Sequence, residues 1–294
     1  MQVKYFASFV LAGLASAQSL QEIISQNSNL TTLAGLLNQT GLLAELGNAS
    51  NITVLAPSND AFSVFLNESA TMAQMQSDPG LVQAVLEYHV LAGTIRSTDI
   101  TTTPAFAKTM LTHMTYTNVT GGQVVKAQAV DSNVVFTSGL LMRSNVTQAD
   151  IGFDGGVVHI IDSVLTVPQN DSATAVAANL TALAGALTQA GLVATVDAAM
   201  DVTIFAPSNA GFAAISNLVG SLSMEQLTQI LTYHVVSGTV GYSTTLMNGM
   251  TIPTLDGNAT VTITVDNGTI FVNSAKVVTA DVLLNNGVAH VIDK

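Results

Sequence analysis

Four of the five histidines occupy equivalent positions in two similar halves of the chain, and imidazole is well suited to proton transfer or metal binding near neutral pH. His89 corresponds to His234, and His159 corresponds to His290. Their spacing matches no metal-ligand motif such as H-E-x-x-H, and the apolar residues around them indicate burial. The pattern therefore favours structural hydrogen bonds over a metal or proton-transfer site in each half. His113 has no counterpart and is predicted to lie at the surface.

The other candidates for catalysis are weaker. Asp60 follows Asn59, but Ala210 follows Asn209 in the second half, so a reaction common to both halves could not depend on that carboxylate. Both asparagines are interpreted as turn residues that bond local backbone. The chain has no G-x-S-x-G elbow, P-loop or dinucleotide fingerprint, and residues 150–156 lack the alternating ligands and final glutamate of a calcium loop. The sequence predicts a protein that is not an enzyme, with no catalytic, cofactor or metal site.

Two tandem copies of one domain must position these residues. The segment 30–62 recurs at 180–212 without a gap and with about half its residues identical. Tyr-His-Val follows at 88–90 and 233–235, and Gly-Val-x-His-x-Ile-Asp follows at 156–162 and 287–293. A period of about 150 residues is the usual size of one globular domain. We predict a signal peptide at 1–17 and domains at 18–168 and 169–294, whose short polar junction near 167–171 makes them near-rigid neighbours.

The N-terminal residues indicate secretion. Lys4 precedes an apolar run and the small-x-small cleavage site Ala15-Ser16-Ala17, and the run is too short to span a membrane. Glycosylation of asparagine takes place only in the secretory route, so the eleven N-x-Ser/Thr sequons of this chain are candidate glycosylation sites. They begin at Asn29, Asn38, Asn48, Asn51, Asn67, Asn118, Asn145, Asn170, Asn179, Asn258 and Asn267. Asn48 and Asn51 are too close together for both to be glycosylated easily. For Asn29 or Asn179, the alternative to glycosylation is a role as the cap of the following helix.

Composition excludes several classes of partner and chemistry. The formal net charge is −12 with only seven Lys and Arg, so nucleic acid and anionic lipid surfaces, which need clustered cations, are disfavoured. The chain has no cysteine, which removes disulfides, thiolate metal sites and cysteine catalysis. Each domain must be stabilised by packing alone, which its size allows.

The hydrophobic periodicity changes within each repeat. Residues 30–46 have the spacing of a helix that ends at Gly47, and residues 52–56 form a short strand before Pro57. Ser58 and Ser208 are predicted N-caps of the next helices, and Ser223 opens a capping box. The second half of each repeat alternates as a β-hairpin does, at 123–136 and 261–272. These patterns predict an α+β domain with helices packed on an antiparallel sheet.

Three motifs in order resemble the fasciclin domain. They are T-V-L-A-P-S-N-D-A-F at 53–62, Tyr-His at 88–89 and the Gly-Val-x-His-x-Ile-Asp segment. All three return in the second half, the first of them as T-I-F-A-P-S-N-A-G-F at 203–212. The resemblance implies a wedge of about seven strands with several helices, in secreted, often glycosylated adhesion or matrix proteins. Some animal members use an Asp-Ile pair and the Tyr-His segment in adhesion. The matching positions, as possible adhesion contacts, are Tyr88, His89, Asp150, Ile151, Tyr233, His234 and Asp281, where Asp-Val replaces Asp-Ile in the second copy.

The resemblance, the signal peptide and the sequons together predict a secreted or cell-surface glycoprotein that acts in adhesion or in matrix or cell-wall organisation. Its expected partner is a cell-surface or matrix protein or a polysaccharide. A secreted binding module for a small apolar or carbohydrate ligand is the alternative, and a hydrolase has no motif in its favour. Repeat 2 stops at Lys294, whereas repeat 1 continues through the apolar residues 163–168, so the last strand of the second domain is predicted to be truncated. Membrane attachment is expected only through a lipid anchor encoded beyond Lys294.

Overall fold

The computed structural model describes residues 18–68, 73–75, 77–215, 221–257 and 259–294. The predicted signal peptide at 1–17 and the sequon at Asn258 lie outside the described residues. Within the described ranges, no helix is both long enough and apolar enough to cross a membrane.

Both halves of the chain combine helices with a seven-stranded sheet, and the first strand of each sheet lies between helices in the chain. In the first half the helices are α1 Leu20–Gln26, α2 Thr31–Thr40, α3 Leu42–Asn48, α4 Asn59–Asn67 and α5 Leu81–Tyr88. Its strands are β1 Ile52–Pro57, β2 Val90–Ala92, β3 Ala105–Lys108, β4 Val124–Val130, β5 Asn133–Thr137, β6 Arg143–Phe153 and β7 Gly156–Ile161. In the second half the helices are α6 Asp171–Ala177, α7 Thr181–Gln189, α8 Val193–Ala198, α9 Asn209–Ala214 and α10 Met224–Tyr233. Its strands are β8 Val202–Pro207, β9 Val235–Val236, β10 Thr251–Pro253, β11 Thr260–Asp266, β12 Thr269–Val272, β13 Ala275–Leu284 and β14 Gly287–Ile292.

The two sheets have matching topology. The first has the order β2-β1-β7-β6-β5-β4-β3, and the second has the order β10-β11-β12-β13-β14-β8-β9. This confirms the predicted α+β class with two tandem domains and about seven strands in each. The expected antiparallel arrangement needs one refinement, because β1 lies parallel to β7 and β8 lies parallel to β14. Strands so far apart in sequence are joined by a crossover and not by a tight turn, so they can pair in parallel.

Glycine is required where the central parallel pair begins. Gly156 pairs with Ile52, and Gly287 pairs with Val202. A Cβ atom on Gly156 would lie 1.8 Å from the carbonyl oxygen of Ile52, and one on Gly287 would lie 1.9 Å from the carbonyl oxygen of Val202. The glycine that opens each Gly-Val-x-His-x-Ile-Asp segment therefore permits close approach of two backbones.

The central strands are buried on both faces. Val54 and Ala56 of β1 face an apolar cluster formed with α1 to α3, whereas Leu55 faces a second cluster that contains Tyr88 and Phe136. The second domain repeats this division, with one cluster beneath its helices and another within its sheet. Every residue of β1 and β8 is consequently buried, which explains why both read as continuous apolar runs and not as alternating strands.

Several local predictions are confirmed. The side chains of Ser58 and Ser208 accept hydrogen bonds from the third backbone N–H group of α4 and α9, and Ser223 forms the predicted capping box. The two hairpins also form, with two-residue turns of positive φ at 131–132 and 267–268. The helix predicted over 30–46 is instead two helices, because Gly41 takes φ 76° and ends α2.

The asparagine of each Pro-Ser-Asn motif was wrongly assigned to a local turn. Asn59 accepts a hydrogen bond of 2.9 Å from the Thr32 N–H group at the start of α2, and Asn209 accepts one of 3.0 Å from the Ala182 N–H group at the start of α7. Each asparagine therefore caps a helix about 30 residues earlier in the chain. Neither Asn29 nor Asn179 is the residue before α2 or α7, so the predicted capping role for them is also wrong.

The predicted extension of the last strand is wrong as well. In the first domain β7 ends at Ile161, and residues 163–168 leave the sheet. Leu165 is fully buried there, and its N–H group donates to the side chain of His89 and not to a neighbouring strand. Strand β14 is as long as β7 and pairs with β8 over its whole length.

Candidate functional site

Tyr88 and His89 join the end of α5 to the rest of the first domain. The Tyr88 hydroxyl donates to the carbonyl oxygen of Val124 at 2.9 Å. His89 accepts a hydrogen bond from the Leu165 N–H group at its Nε2 atom, 2.8 Å away, so its Nδ1–H group donates to the carbonyl oxygen of Val85 at 2.7 Å. Burial lowers the pKa of His89 to about 4, which keeps the ring neutral near pH 7. Both side chains lie inside the domain, and neither reaches its surface.

Tyr233 and His234 hold the same place in the second domain but are only half-buried. His234 Nδ1 lies 2.7 Å from the carbonyl oxygen of Ile230, and burial lowers its pKa. The Tyr233 hydroxyl donates to the carbonyl oxygen of Thr260 at 3.2 Å and accepts from the Asn273 side chain at 2.8 Å. Of the two pairs, the second is therefore the one that a partner could reach.

Asp150 lies at an irregularity of β6 and has a left-handed backbone, with φ 59°. Its carboxylate accepts from the N–H group of Ser97 at 2.9 Å and from the Ser97 hydroxyl, and the hydroxyl bond is the main reason that its pKa is lowered. Its own N–H group donates to His159 Nδ1 at 3.2 Å, so His159 Nε2–H donates to the carbonyl oxygen of Ile95 at 2.8 Å. Ile151 is half-buried against the core beneath the helices.

The second domain repeats this network around Asp281. Its carboxylate accepts from the N–H group of Ser243 at 2.8 Å and from the Ser243 hydroxyl at 2.6 Å. Its N–H group donates to His290 Nδ1 at 3.4 Å, and His290 Nε2–H donates to the carbonyl oxygen of Gly241 at 2.8 Å. Asp281 is buried, with 3% of its surface exposed. In both domains the aspartate and the histidine hold a loop against the sheet.

These contacts confirm that the repeated histidines make structural hydrogen bonds. Their ring nitrogens bond backbone atoms within the same domain in all four cases. His113 is exposed, as predicted. Among the residues that the structure describes, no three His, Asp or Glu side chains are grouped closely enough to hold a metal ion.

The two domains make direct hydrogen bonds that sequence reasoning missed. The Thr120 N–H and hydroxyl groups donate to the two carboxylate oxygens of Asp201 at 2.7 and 2.6 Å. The Asn118 N–H group donates to the carbonyl oxygen of Asn285 at 2.7 Å, and the buried side chain of Gln123 donates to that of Leu284 at 2.9 Å. All of these residues except Asp201 lie outside the recurring segments, and no pattern in one sequence could pair them.

A cleft lies beside these contacts, and we call it the interdomain cleft. Its volume is about 450 Å³, and both domains line it. Phe106 of β3 and Tyr242 of the second domain stack there with ring centroids 4.1 Å apart. Lys108 and Asp201 add a cation and an anion to the lining, and Thr120 adds a hydroxyl group. Aromatic, charged and hydroxyl groups in one concave surface are the ordinary constituents of a ligand site.

The described sequons differ in exposure. Asn118 and Asn170 are half-buried: Asn118 bonds the second domain through its backbone, and the Asn170 side chain caps α6. The remaining described sequon asparagines are exposed: Asn29, Asn38, Asn48, Asn51, Asn67, Asn145, Asn179 and Asn267.

Comparison with known proteins agrees with the fold and the motifs. The family described as the fasciclin domain matches residues 28–168 and 178–294. The chain belongs to the fasciclin family. A fasciclin-like arabinogalactan protein of Arthroderma benhamiae is 37% identical over 99% of this chain and 69% of that protein. The fasciclin-like arabinogalactan protein elcF of Phaeosphaeria nodorum is 34% identical over 98% of this chain and 91% of that protein.

More distant fasciclin proteins also match. Human periostin is 26% identical over 81% of this chain and 26% of its own length. Among solved structures, the fasciclin domain pair from the insect cell adhesion molecule fasciclin I matches with a TM-score of 0.43 and 19% identity, over 91% of this chain and 96% of that one.

Proposed function

We propose that the protein is a non-enzymatic, extracellular or cell-surface glycoprotein that acts in adhesion or in matrix or cell-wall organisation through its tandem fasciclin domains. The observation that carries this proposal is membership of the fasciclin family over both halves of the chain. The relatives named fasciclin-like arabinogalactan proteins support the same class of function. The predicted signal peptide and the exposed sequons support an extracellular site of action.

The predicted adhesion contacts take different parts in this proposal. Tyr88, His89 and Asp281 are buried, so they act on a partner only by holding the surrounding backbone in place. The remaining members of the set are half-buried and could also contact a partner directly: Asp150, Ile151, Tyr233 and His234.

The interdomain cleft favours a polysaccharide as the partner. Sugars present apolar C–H faces and hydroxyl groups, which suit an aromatic ring flanked by Lys108, Asp201 and Thr120. A volume of about 450 Å³ lies within the usual range of ligand sites. The apolar cavity inside the second domain measures only about 30 Å³, which is far below that range, and it gives little support to an apolar ligand.

The proposal is tested with beads coated with the purified glycoprotein. We expect them to attach to immobilised wall or matrix polysaccharide from the source organism, and the variant Lys108→Ala to attach several-fold less. Arg143→Ala is the matched control, because Arg143 is an exposed cation outside the cleft lining. Immobilised matrix protein is tested in the same way. Attachment to both surfaces that is no better than that of an unrelated acidic glycoprotein would overturn the proposed function. Equal loss in both variants would overturn the role of the cleft.

A further inference from the structure

The second domain begins with a buried carboxyl group where the first begins with a leucine. Ser19 caps α1 and Asn170 caps α6, so Leu20 and Asp171 are the first residues of equivalent helices. Leu20 is 1% exposed and Asp171 is 5% exposed. An aspartate in an apolar position is costly unless it is paired or protonated.

The partner of Asp171 is also specific to the second domain. Asn286 lies in the turn between β13 and β14, where the first domain has Gly155 between β6 and β7. A Cβ atom on Gly155 would lie 2.4 Å from the carbonyl oxygen of Ala49, so the first domain has no room for a side chain there. Asn286 is fully buried, and its Nδ2 atom lies 2.9 Å from Asp171 Oδ2 and 2.9 Å from the carbonyl oxygen of Val196.

This pairing leaves one oxygen of each side chain without a partner. Asp171 Oδ1 and Asn286 Oδ1 are both buried, and neither has a hydrogen-bond partner among the described residues. Two lone acceptors cannot satisfy each other, but a proton on one of them makes it a donor. We propose that Asp171 carries a proton in the folded protein and forms a two-hydrogen-bond carboxylic acid–carboxamide pair with Asn286. The acid O–H group donates to the amide oxygen, while the amide N–H group donates to the acid carbonyl oxygen.

The surroundings of Asp171 favour the protonated form. The cavity beside it is lined almost wholly by apolar side chains, such as Leu183 and Val196, and burial raises the pKa of Asp171 to about 7. The hydrogen bond from Asn286 opposes this rise, and the charge of Asp197, on the facing helix α8, contributes to it. His234 also lines the cavity, and because burial lowers its pKa, it adds no cation near pH 7.

The Asp171–Asn286 pair lies next to the residues of the second domain that bond the first domain. The neighbouring residues Leu284 and Asn285 receive hydrogen bonds from the first domain, through Gln123 and Asn118. The Asn285 N–H group donates to the carbonyl oxygen of Gln169, just before α6. Ionisation of Asp171 would leave a buried charge and an unpaired amide oxygen beneath this turn. We therefore expect rising pH to loosen the turn and its contacts with the first domain.

The sign of the effect on stability follows from proton binding. A carboxyl whose pKa is higher in the folded state binds more protons when folded, so its contribution to stability is present in full at low pH and is lost as pH rises. Compared with Asp171→Asn, the folding equilibrium constant of the unmutated chain should fall about tenfold per pH unit between about pH 4 and 7. Above that range the difference should be constant. Asparagine keeps the shape of a carboxylic acid and can make both hydrogen bonds with Asn286 at every pH.

The experiment compares chemical unfolding of the full chain from pH 4 to 9 with that of Asp171→Asn. Asp60→Asn is the matched control, because Asp60 also lies in the first turn of its helix but is exposed, and it should keep the pH profile of the unmutated chain. Infrared difference spectra of the unmutated chain provide a readout that needs no variant, since a protonated carboxyl band should disappear near pH 7. Identical pH profiles for the unmutated chain and Asp171→Asn would overturn the proposal. An infrared spectrum without that band at pH 5 would also overturn it and would indicate an ionised Asp171 with a buried water.

Discussion

His89 should make the first domain sensitive to acid. The ring is fully buried and is held in one tautomer by the Leu165 N–H group and the Val85 carbonyl oxygen. Protonation would place a positive charge in an apolar interior and would replace the acceptor at Nε2 with a donor that faces the Leu165 N–H group. The folded domain should therefore bind a proton at His89 much more weakly than the unfolded chain does.

The size of this effect follows from the pKa of the ring. Between an ordinary value of about 6.5 and a folded value of about 4, only the unfolded chain binds the proton, so stability falls as the pH falls. The full difference is about 3 kcal/mol, and below about pH 4 it stops growing. Replacement of His89 by alanine should remove this dependence. It should also cost about 3 to 5 kcal/mol at pH 7, since it leaves two buried backbone groups unpaired and a cavity.

Urea unfolding at pH 7 and pH 4 measures both quantities. We expect the stability lost on acidification to be about 3 kcal/mol smaller in His89→Ala than in the unmutated chain. His113→Ala serves as the control, because His113 is exposed and its removal should change neither value by more than about 0.5 kcal/mol. An acid loss in His89→Ala equal to that of the unmutated chain would refute the reasoning. If the variant does not fold at pH 7, titration of the His89 ring by NMR in the unmutated chain decides the question, since a pKa near 6.5 would contradict it.

Three further predictions concern the architecture. Asp201→Ala removes both hydrogen bonds to Thr120, so we expect calorimetry to resolve two separate unfolding transitions where the unmutated chain shows a single, coupled one. A single transition in the variant as well would count against the interface described. Gly156→Ala should destabilise the first domain by more than about 3 kcal/mol in urea unfolding because of its backbone contact, whereas Gly35→Ala, in open space on α2, should be neutral or slightly stabilising. Asn59→Ala should cost about 1 to 2 kcal/mol through the lost helix cap, and a change within error would show that water replaces the cap.

Local structure could be predicted well from the sequence where the side chain of a single residue determines it. Ser58 and Ser223 have the side chains and spacing of helix caps, and both cap a helix. The helix boundary at Gly41 was missed because the apolar spacing continues across it, from α2 into α3. Asn59 was misassigned because its partner lies about 30 residues away, and spacing along the chain carries no information about a contact made by the fold.

The candidate site was harder to predict for a related reason. Comparison of the two copies identified His89 and Asp150, because identical residues recur at the same places. Such a comparison, however, finds the residues that every copy needs in order to fold. His89 and Asp150 both form hydrogen bonds that hold loops to the sheet. The interdomain cleft depends on Phe106 and Tyr242, which come from different copies at positions that do not correspond. A single sequence could not bring them together.

The differences between the copies are therefore the better guide to function. Residues common to both domains, such as Asp150 and Asp281, are buried or half-buried and serve the fold. Loss of adhesion in an Asp150→Ala variant would consequently be ambiguous, because the variant also loses both bonds to Ser97 and with them a loop of the domain. Lys108 makes no such contact among the described residues and lines the cleft, so its replacement tests binding with little effect on folding. Two results together would place the binding surface between the domains and not at the recurring motifs. In Asp150→Ala, attachment should fall only in proportion to the loss of stability. In Lys108→Ala, attachment should fall although stability is unchanged.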